Sequence, residues 1–289
     1  IAYGCFYDFH ENKFLAVLLL WLVYFIIRNK NAGIIIFSFL VLSVKEDAAI
    51  YLFTLALFLM VYKKRYKKGI VLFIIAFLYF IFASAMVSHL GSGIMDTRFD
   101  NYWYDSKNGN LIQVMHTCLV NLGYLLSQLF TQDKFPFLLW LFVPLGFAPF
   151  YHKKKSLLIL LIPILVINLM SNWKYQYDIK FQYTYGPISL LLVASFIAIS
   201  SLSAHRKKFL LFYSMCTCLI FGFSLTMPCI ENYRTITQEQ WVKCDATTNA
   251  LSHLPKDATI TASTFLIPHL YQYDTVYQYP NYYAKSQDT

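Results

Sequence analysis

The chain has 289 residues, of which 58% are hydrophobic and only 13% charged, and its formal net charge is +9. A soluble domain carries about 25% charged residues, so a mean hydropathy of +0.49 with repeated apolar runs excludes a soluble globular protein. It indicates a polytopic membrane protein whose first partner is the lipid bilayer. The positive charge does not call for a nucleic-acid partner, because Lys and Arg cluster in short loops between apolar runs, where the positive-inside rule puts them.

In chain order, Ile1 to Lys13 contains Tyr7-Asp8-Phe9-His10-Glu11, and Phe14 to Ile27 is an apolar run ending at Arg28. Two shorter runs follow, Ala32 to Val44 and Ala48 to Tyr62, separated by Lys45-Glu46-Asp47. Read as one helix, they would place three charges near mid-bilayer, each at a cost of about 3 kcal/mol or more. The flanks are basic on both sides: Arg28 and Lys30 before, and Lys63, Lys64, Arg65, Lys67 and Lys68 after. Keeping both clusters in the cytoplasm requires a hairpin, and its charged tip is expected to emerge on the outer face.

Gly69 to Val87 then crosses outward, and residues 88–135 form a long outer loop. Within it, Leu111 to Phe130 carries Gln113, His116, Thr117, Tyr124, Ser127 and Gln128 on roughly one helical face, which predicts an amphipathic helix in the interface with His116 toward the headgroups. Pro136 to Tyr151 returns to His152-Lys153-Lys154-Lys155, and Leu157 to Met170 goes out. Residues 171–187 form a second outer loop, dense in aromatics: Trp173, Tyr175, Tyr177, Phe181, Tyr183 and Tyr185. Ile188 to Leu202 goes in, to His205-Arg206-Lys207-Lys208, and Phe209 to Met227 goes out. The predicted fold is an all-α polytopic transmembrane bundle of about eight crossings over residues 1–227, with every strongly basic loop inside.

Residues 228–289 are polar and predict a small α/β segment on the outer face. Thr259 to Ala262 reads as a strand, Ser263 to Tyr271 as a short helix and Thr275 to Tyr279 as a second strand. Cys229 and Cys244 both fall in this segment and are candidates for a disulfide. No signal peptide is visible. The chain opens at Ile1 and stops in a polar stretch, Ala284 to Thr289, and the expectation is a piece of a longer protein with further helices before Ile1.

The charges that can do chemistry all fall near the expected outer surface. Asp8, His10 and Glu11 are a tentative ligand set for a divalent ion such as magnesium or manganese. A carboxylate of Asp8, Glu46 or Asp47 can serve as general base toward a sugar hydroxyl. Lys45, Arg98 and Lys180 can hold a phosphate, with His89 in the same outer region. Structural roles compete with each. Asp8, His10 and Glu11 also suit a solvated helix start, Asp47 suits a helix cap, and the aromatics, Tyr183 among them, suit an interfacial belt. Phosphate-cradling glycine loops, zinc spacings and nucleophile elbows are absent, so an outer-face enzyme would need an activated substrate delivered to it.

Several stretches together resemble a known family. They are Tyr7-Asp8-Phe9-His10-Glu11, Val44-Lys45-Glu46-Asp47-Ala48-Ala49, Phe142-Val143-Pro144-Leu145-Gly146-Phe147, Tyr175-Gln176-Tyr177 with Gln182-Tyr183, and Leu254-Pro255-Lys256-Asp257-Ala258 with Ile267-Pro268-His269-Leu270. In this order the chain is similar to the membrane proteins called domain of unknown function 2079. One local departure is Glu11, which follows His10 where that family's pattern has Pro. The family is similar in architecture to GT-C glycosyltransferases, multi-pass enzymes of the bacterial cell envelope that take a sugar from a polyprenyl-phosphate carrier. The resemblance implies that Asp8, His10, Glu46 and Asp47 line a catalytic cavity, that Lys45, Arg98 or Lys180 meets the carrier phosphate, and that 111–130 shapes the lipid entrance. It also implies a bacterial plasma-membrane location. The competing functions are a transporter or flippase for a lipid-linked or polar solute, which usually carries ionisable groups at mid-membrane, and a non-catalytic assembly protein.

Overall fold

In the computed structural model of the chain, residues 10–90, 98–103, 109, 111–234 and 238–279 are described. Asp8 lies outside them. The chain divides into two compact units, Ile1–Met227 and Pro228–Thr289.

The first unit begins with four helices: α1 (Lys13–Arg28), α2 (Asn31–Leu42), α3 (Ala48–Leu57) and α4 (Tyr66–Leu90). A wider helical turn, Phe58–Tyr62, extends α3. Asn29 ends α1 in the left-handed region at φ 59°, and the Lys30 N–H closes back on Phe25 O, a standard helix stop. The neighbouring bases satisfy what remains. Arg65 donates to Ile26 O and to Asn29 Oδ1, both at 3.1 Å, and Lys68 Nζ donates to Asn29 Oδ1 and Asn31 Oδ1 at 2.6 Å. Cations at a helix C-terminus also suit its dipole.

Among the described residues, three helices are long and apolar enough to cross a membrane: Tyr66–Val87, Gln182–Ser200 and Ala204–Asn232. The eight crossings expected are not shown; other apolar stretches read as crossings are short or broken helices here. With 12 residues, α2 rises only about 18 Å, against a hydrocarbon core of about 30 Å. The stretch expected to cross from Pro136 to Tyr151 is α7 (Phe135–Phe142), followed by a break at Gly146 and Phe147, both at positive φ, and a short 3-10 turn Ala148–Tyr151. Backbone opened at that depth needs partners. Tyr213 Oη donates to Val143 O at 3.1 Å and Thr217 Oγ1 to Pro144 O at 2.7 Å.

The predicted amphipathic helix is two pieces, α5 (Leu111–Val120) and α6 (Leu122–Leu129). Asn121 breaks them apart and caps the second by accepting from Tyr124 N. Val114 and Thr117 are buried, while Ile112, Met115, Leu119 and Val120 are exposed. His116 is also exposed. Thr117 and Tyr124 therefore work toward the protein: Thr117 Oγ1 donates to Tyr102 O and Tyr124 Oη to Asn101 O. The largely apolar opposite side is exposed.

The most buried of the three long helices is α8 (Tyr185–Ser200). It packs against α1 and against the irregular turns 148–151 and 155–161. A Cβ at Gly186 would sit 2.3 Å from Tyr51 Cζ, so only glycine lets α3 and α8 approach this closely. Next comes α9 (Ala204–Arg234).

In the second unit, α10 (Gln238–Ser252) precedes β1 (Ile260–Ser263), a 3-10 turn Ile267–Leu270, and β2 (Val276–Tyr279). The strands pair in parallel with Ile260 opposite Val276. Ala262, Leu270 and Tyr273 form a small core, and Tyr273 Oη ties the end of α10 by donating to Leu251 O and Leu254 O. Two strands alone are marginal, and this core is their support. No disulfide joins Cys229 to Cys244.

Candidate functional site

The α2–α3 hairpin turns at 43–47 and brings Lys45, Glu46 and Asp47 to its tip. Tyr79 fixes the height of that tip on α4. Its hydroxyl donates to Leu42 O at 2.6 Å and to Lys45 O at 3.2 Å. Tyr79 lies 13 residues into α4, about 20 Å from the basic end and about 16 Å short of the other. The tip, expected on the outer face, lies beside Tyr79, part-way along α4, and other segments cover it.

Three segments surround the tip. At the start of α1, Glu11 Oε1 pairs with Lys45 Nζ at 3.2 Å. From the aromatic loop, the Tyr183 ring lies 5.8 Å from Lys45 Nζ. From 98–103, the Arg98 guanidinium stacks over Trp173 at 4.7 Å and Tyr183 at 5.4 Å. The Arg98 backbone is pinned by Asn172 N, which donates to Arg98 O at 2.8 Å. Asn168, fully buried, pins the aromatic loop by donating Nδ2 to Gln176 O and Tyr183 O.

Asp47 is the unusual member. It stands at the N-cap position of α3, but its side chain makes no capping hydrogen bond. The residue is only 9% exposed, and Oδ1 is buried without a partner. A buried acceptor left unpaired costs about 1–3 kcal/mol. Burial pushes its carboxyl up to about 6; Lys45 and Arg98 pull it down, while Glu46 and Glu11 push it up. Around Lys45, burial disfavours the ammonium, but Asp47, Glu46 and Glu11 outweigh this and hold it above its usual value. Burial also works against Glu11, but its own backbone N–H and Lys45 outweigh this and hold the carboxyl low.

Beside Asp47 lies a cavity of about 230 Å³. Glu46, Asp47, Arg98 and Gln176 supply its polar lining, and Phe53, Phe80, Val114 and Ile167 are among its apolar walls. Binding pockets for small molecules usually hold about 300–1,000 Å³, so this cavity suits part of a larger molecule. It brings together a carboxylate with one buried, unpaired oxygen, a stacked guanidinium and an apolar chamber.

The other sequence candidates divide. Tyr183 and Arg98 join Lys45, Glu46 and Asp47. Glu11 reaches them through its ion pair, and His10 lies next to it in sequence. Lys180 does not join. It lines a separate groove with Asp133, Trp140, Lys174 and Tyr175, and its backbone N–H bonds Asp178 Oδ1 at 3.0 Å. His89 is exposed in the last turn of α4 and lines neither cavity. Among the described residues, no group of three His, Cys, Asp or Glu gathers as metal ligands; Asp8 is not among those residues.

Sequence reading gave no role to Asn168, Gln176 or Lys134. Lys134 is 3% exposed and donates to Gln128 O and Leu169 O, tying α6 to the segment that carries Asn168. Burial pushes its ammonium down to about 8, against the pull of Asp133. Its one sequence signal is a lysine set directly before an apolar run.

A family model described as predicted membrane protein, domain of unknown function 2079, matches residues 1–289. No curated protein matches the chain, and no solved structure does.

Proposed function

We propose that this chain, which belongs to the predicted membrane protein family of domain of unknown function 2079, is an integral-membrane glycosyltransferase of GT-C type or a degenerate relative. It moves a sugar from a polyprenyl-phosphate carrier on the outer face of the plasma membrane. The observation that carries the reading is Asp47, a buried carboxylate with an unpaired oxygen beside an apolar cavity that Arg98 also lines.

In this reading Asp47 takes the proton of the acceptor hydroxyl as that oxygen bonds the anomeric carbon. The bond from that carbon to the carrier phosphate breaks, and the carrier leaves as its phosphate. A base with a pKa near 6 is well matched to this step at neutral pH. Arg98 and Lys45 hold the phosphate, and Glu46 and Glu11 keep Lys45 charged. Trp173 and Tyr183 form the shelf on which Arg98 is aimed. The exposed apolar side of α5 leads the prenyl chain in from lipid. Eight passes, a catalytic part for Asp8 and His10, and an outer-face position for residues 228–289 belong to the same proposal.

The test is mass spectrometry of lipids that co-purify with the full-length protein. Polyprenyl phosphate, with or without a sugar, should be enriched and should disappear in Asp47→Asn and Lys45→Ala. Bulk phospholipid alone, unchanged by both substitutions, would refute the reading.

A second reading, carriage of a lipid-linked solute, is supported by the height of the hairpin tip within α4, since transporters place ionisable groups inside the membrane. Proteoliposomes separate the two. Carriage predicts leaflet exchange of a lipid-linked analogue without a new product, and transfer predicts product without exchange.

A further inference from the structure

A second apolar groove lies at the other end of the hairpin, between α2 and α4. The two helices are tied at both ends. Lys68 Nζ bonds Asn31 Oδ1 at the basic end, and Tyr79 Oη bonds Leu42 O near the tip. From Asn31 to Leu42 the rise is about 16 Å. Between the ties the helices stand apart over a groove of about 500 Å³, walled by Ile34, Ile35, Phe39, Val71, Leu72 and Ile75 and floored by Leu59. Its length matches one leaflet of a hydrocarbon core about 30 Å thick.

The mouth of this groove is cationic. Lys67 and Lys68 line it, and Arg65 is linked to Lys68 through Asn29 Oδ1. No Asp or Glu occurs anywhere in residues 12–45 or 48–95, and the ion pair found among the described residues, Lys45 with Glu11, is at the opposite end of the hairpin. Part-way along the groove, Ser38 Oγ is buried without a partner, in a residue only 5% exposed. The groove therefore presents an apolar slot one leaflet long, a hydroxyl in its wall and a cluster of uncompensated bases at its mouth.

We propose that this groove is a binding site for an anionic glycerophospholipid of the cytoplasmic leaflet. One acyl chain lies between α2 and α4, and the phosphate sits on Lys67 and Lys68. An ester carbonyl is the acceptor such a lipid offers to Ser38. The charge pattern selects this occupant: a basic pocket between membrane helices at their cytoplasmic end favours anionic headgroups, and the positive-inside rule puts this end in the cytoplasm. The site is independent of the cavity at Asp47.

The experiment is native mass spectrometry of the full chain in mild detergent, equilibrated with equal amounts of phosphatidylglycerol, phosphatidylethanolamine and phosphatidylcholine of matched chains. Phosphatidylglycerol should be the dominant adduct. Each surface lysine contributes about five-fold, so Lys67→Gln with Lys68→Gln should lower that preference by about 30-fold. Should that double variant fold poorly, Ile35→Trp fills the slot from a position that is 69% exposed. It leaves the bases intact and should abolish the adduct. Excess glycerol phosphate should not displace the lipid. Equal retention of the three lipids, a preference unchanged by the lysine substitutions, displacement by glycerol phosphate, or a second copy of the chain in place of lipid would each overturn the assignment.

Discussion

Replacing Asp47 with Asn should make the protein more stable while abolishing whatever Asp47 does. The carboxyl is raised from 3.8 to about 6, chiefly by burial. In the folded chain the neutral acid is therefore favoured up to about pH 6, while in the unfolded chain the group ionises near its usual value. Its contribution to stability is fully present below pH 3.8 and is lost as pH rises through 6. The loss is about 3 kcal/mol, from about 1.4 kcal/mol per pH unit, and roughly half of it falls between pH 5 and 8. Asn keeps the shape without the charge, so at pH 8 it should recover most of this, a rise in Tm of roughly 5–10 °C. The advantage should halve at pH 5. Thermal unfolding in detergent at the two pH values, wild type beside Asp47→Asn, measures both numbers. If Asn lowers Tm at pH 8, or if the two proteins show the same pH slope, Asp47 is not a strained buried carboxylate and the site argument built on it fails.

Other positions give independent outcomes. Gly186→Ala drives a methyl to 2.3 Å from the Tyr51 ring and should cost about 1–3 kcal/mol. Trimming the ring in Tyr51→Leu should rescue part of that loss in a double variant, and additive losses would refute the contact. Asn168→Leu removes the donor that holds Gln176 O and Tyr183 O, at about 1–3 kcal/mol; limited proteolysis should then cut the 171–187 loop sooner. Arg98→Lys keeps the charge but gives up the planar stack on Trp173 and Tyr183. It should weaken retention of the lipid-linked donor as much as Arg98→Ala does, whereas full retention would mean that charge alone suffices. Glu11→Gln breaks a partly exposed ion pair and should cost under about 1 kcal/mol in stability, measured by the same melting assay.

The hairpin was legible in the sequence because three charges between two apolar runs, with bases outside both, admit one economical path. The short strands were legible beyond the proline-marked turn at Pro255, whereas the helix expected between them, Ser263 to Tyr271, is only a 3-10 turn at Ile267–Leu270. What could not be read was which short segments share a height. Hydropathy marks the lipid boundary and carries no information on partners inside it. Lys180 and Arg98 looked equivalent, each a lone cation in an outer loop. Packing separates them: Arg98 is delivered to the hairpin by the bond from Asn172 N to its carbonyl, while Lys180 faces another groove. The break at Asn121 and the opened turn at Gly146 were hidden in apolar runs whose composition reads as continuous helix. Lys134 escaped notice because its role is to satisfy two carbonyls from distant elements.

The shortness of α2 and α3 is what makes the site possible. A full-length hairpin would deliver Lys45, Glu46 and Asp47 to open water, where a carboxylate keeps its ordinary pKa and a salt bridge is worth little. Stopping part-way along α4 puts the same residues near Arg98, Trp173 and Tyr183, where Asp47 is cut off from water and its charge is costly. The arrangement needs protein on every side, because a turn with open backbone cannot face lipid. Tyr79 supplies part of that by donating to Leu42 O, at the end of α2, and to Lys45 O, in the turn. Tyr79→Phe should therefore loosen the tip itself while leaving the basic end of α4 in place, and hydrogen exchange at residues 42–48 rising ahead of that at residues 26–31 is the signature to look for. Equal exchange at both places would mean that the tip is held by packing alone.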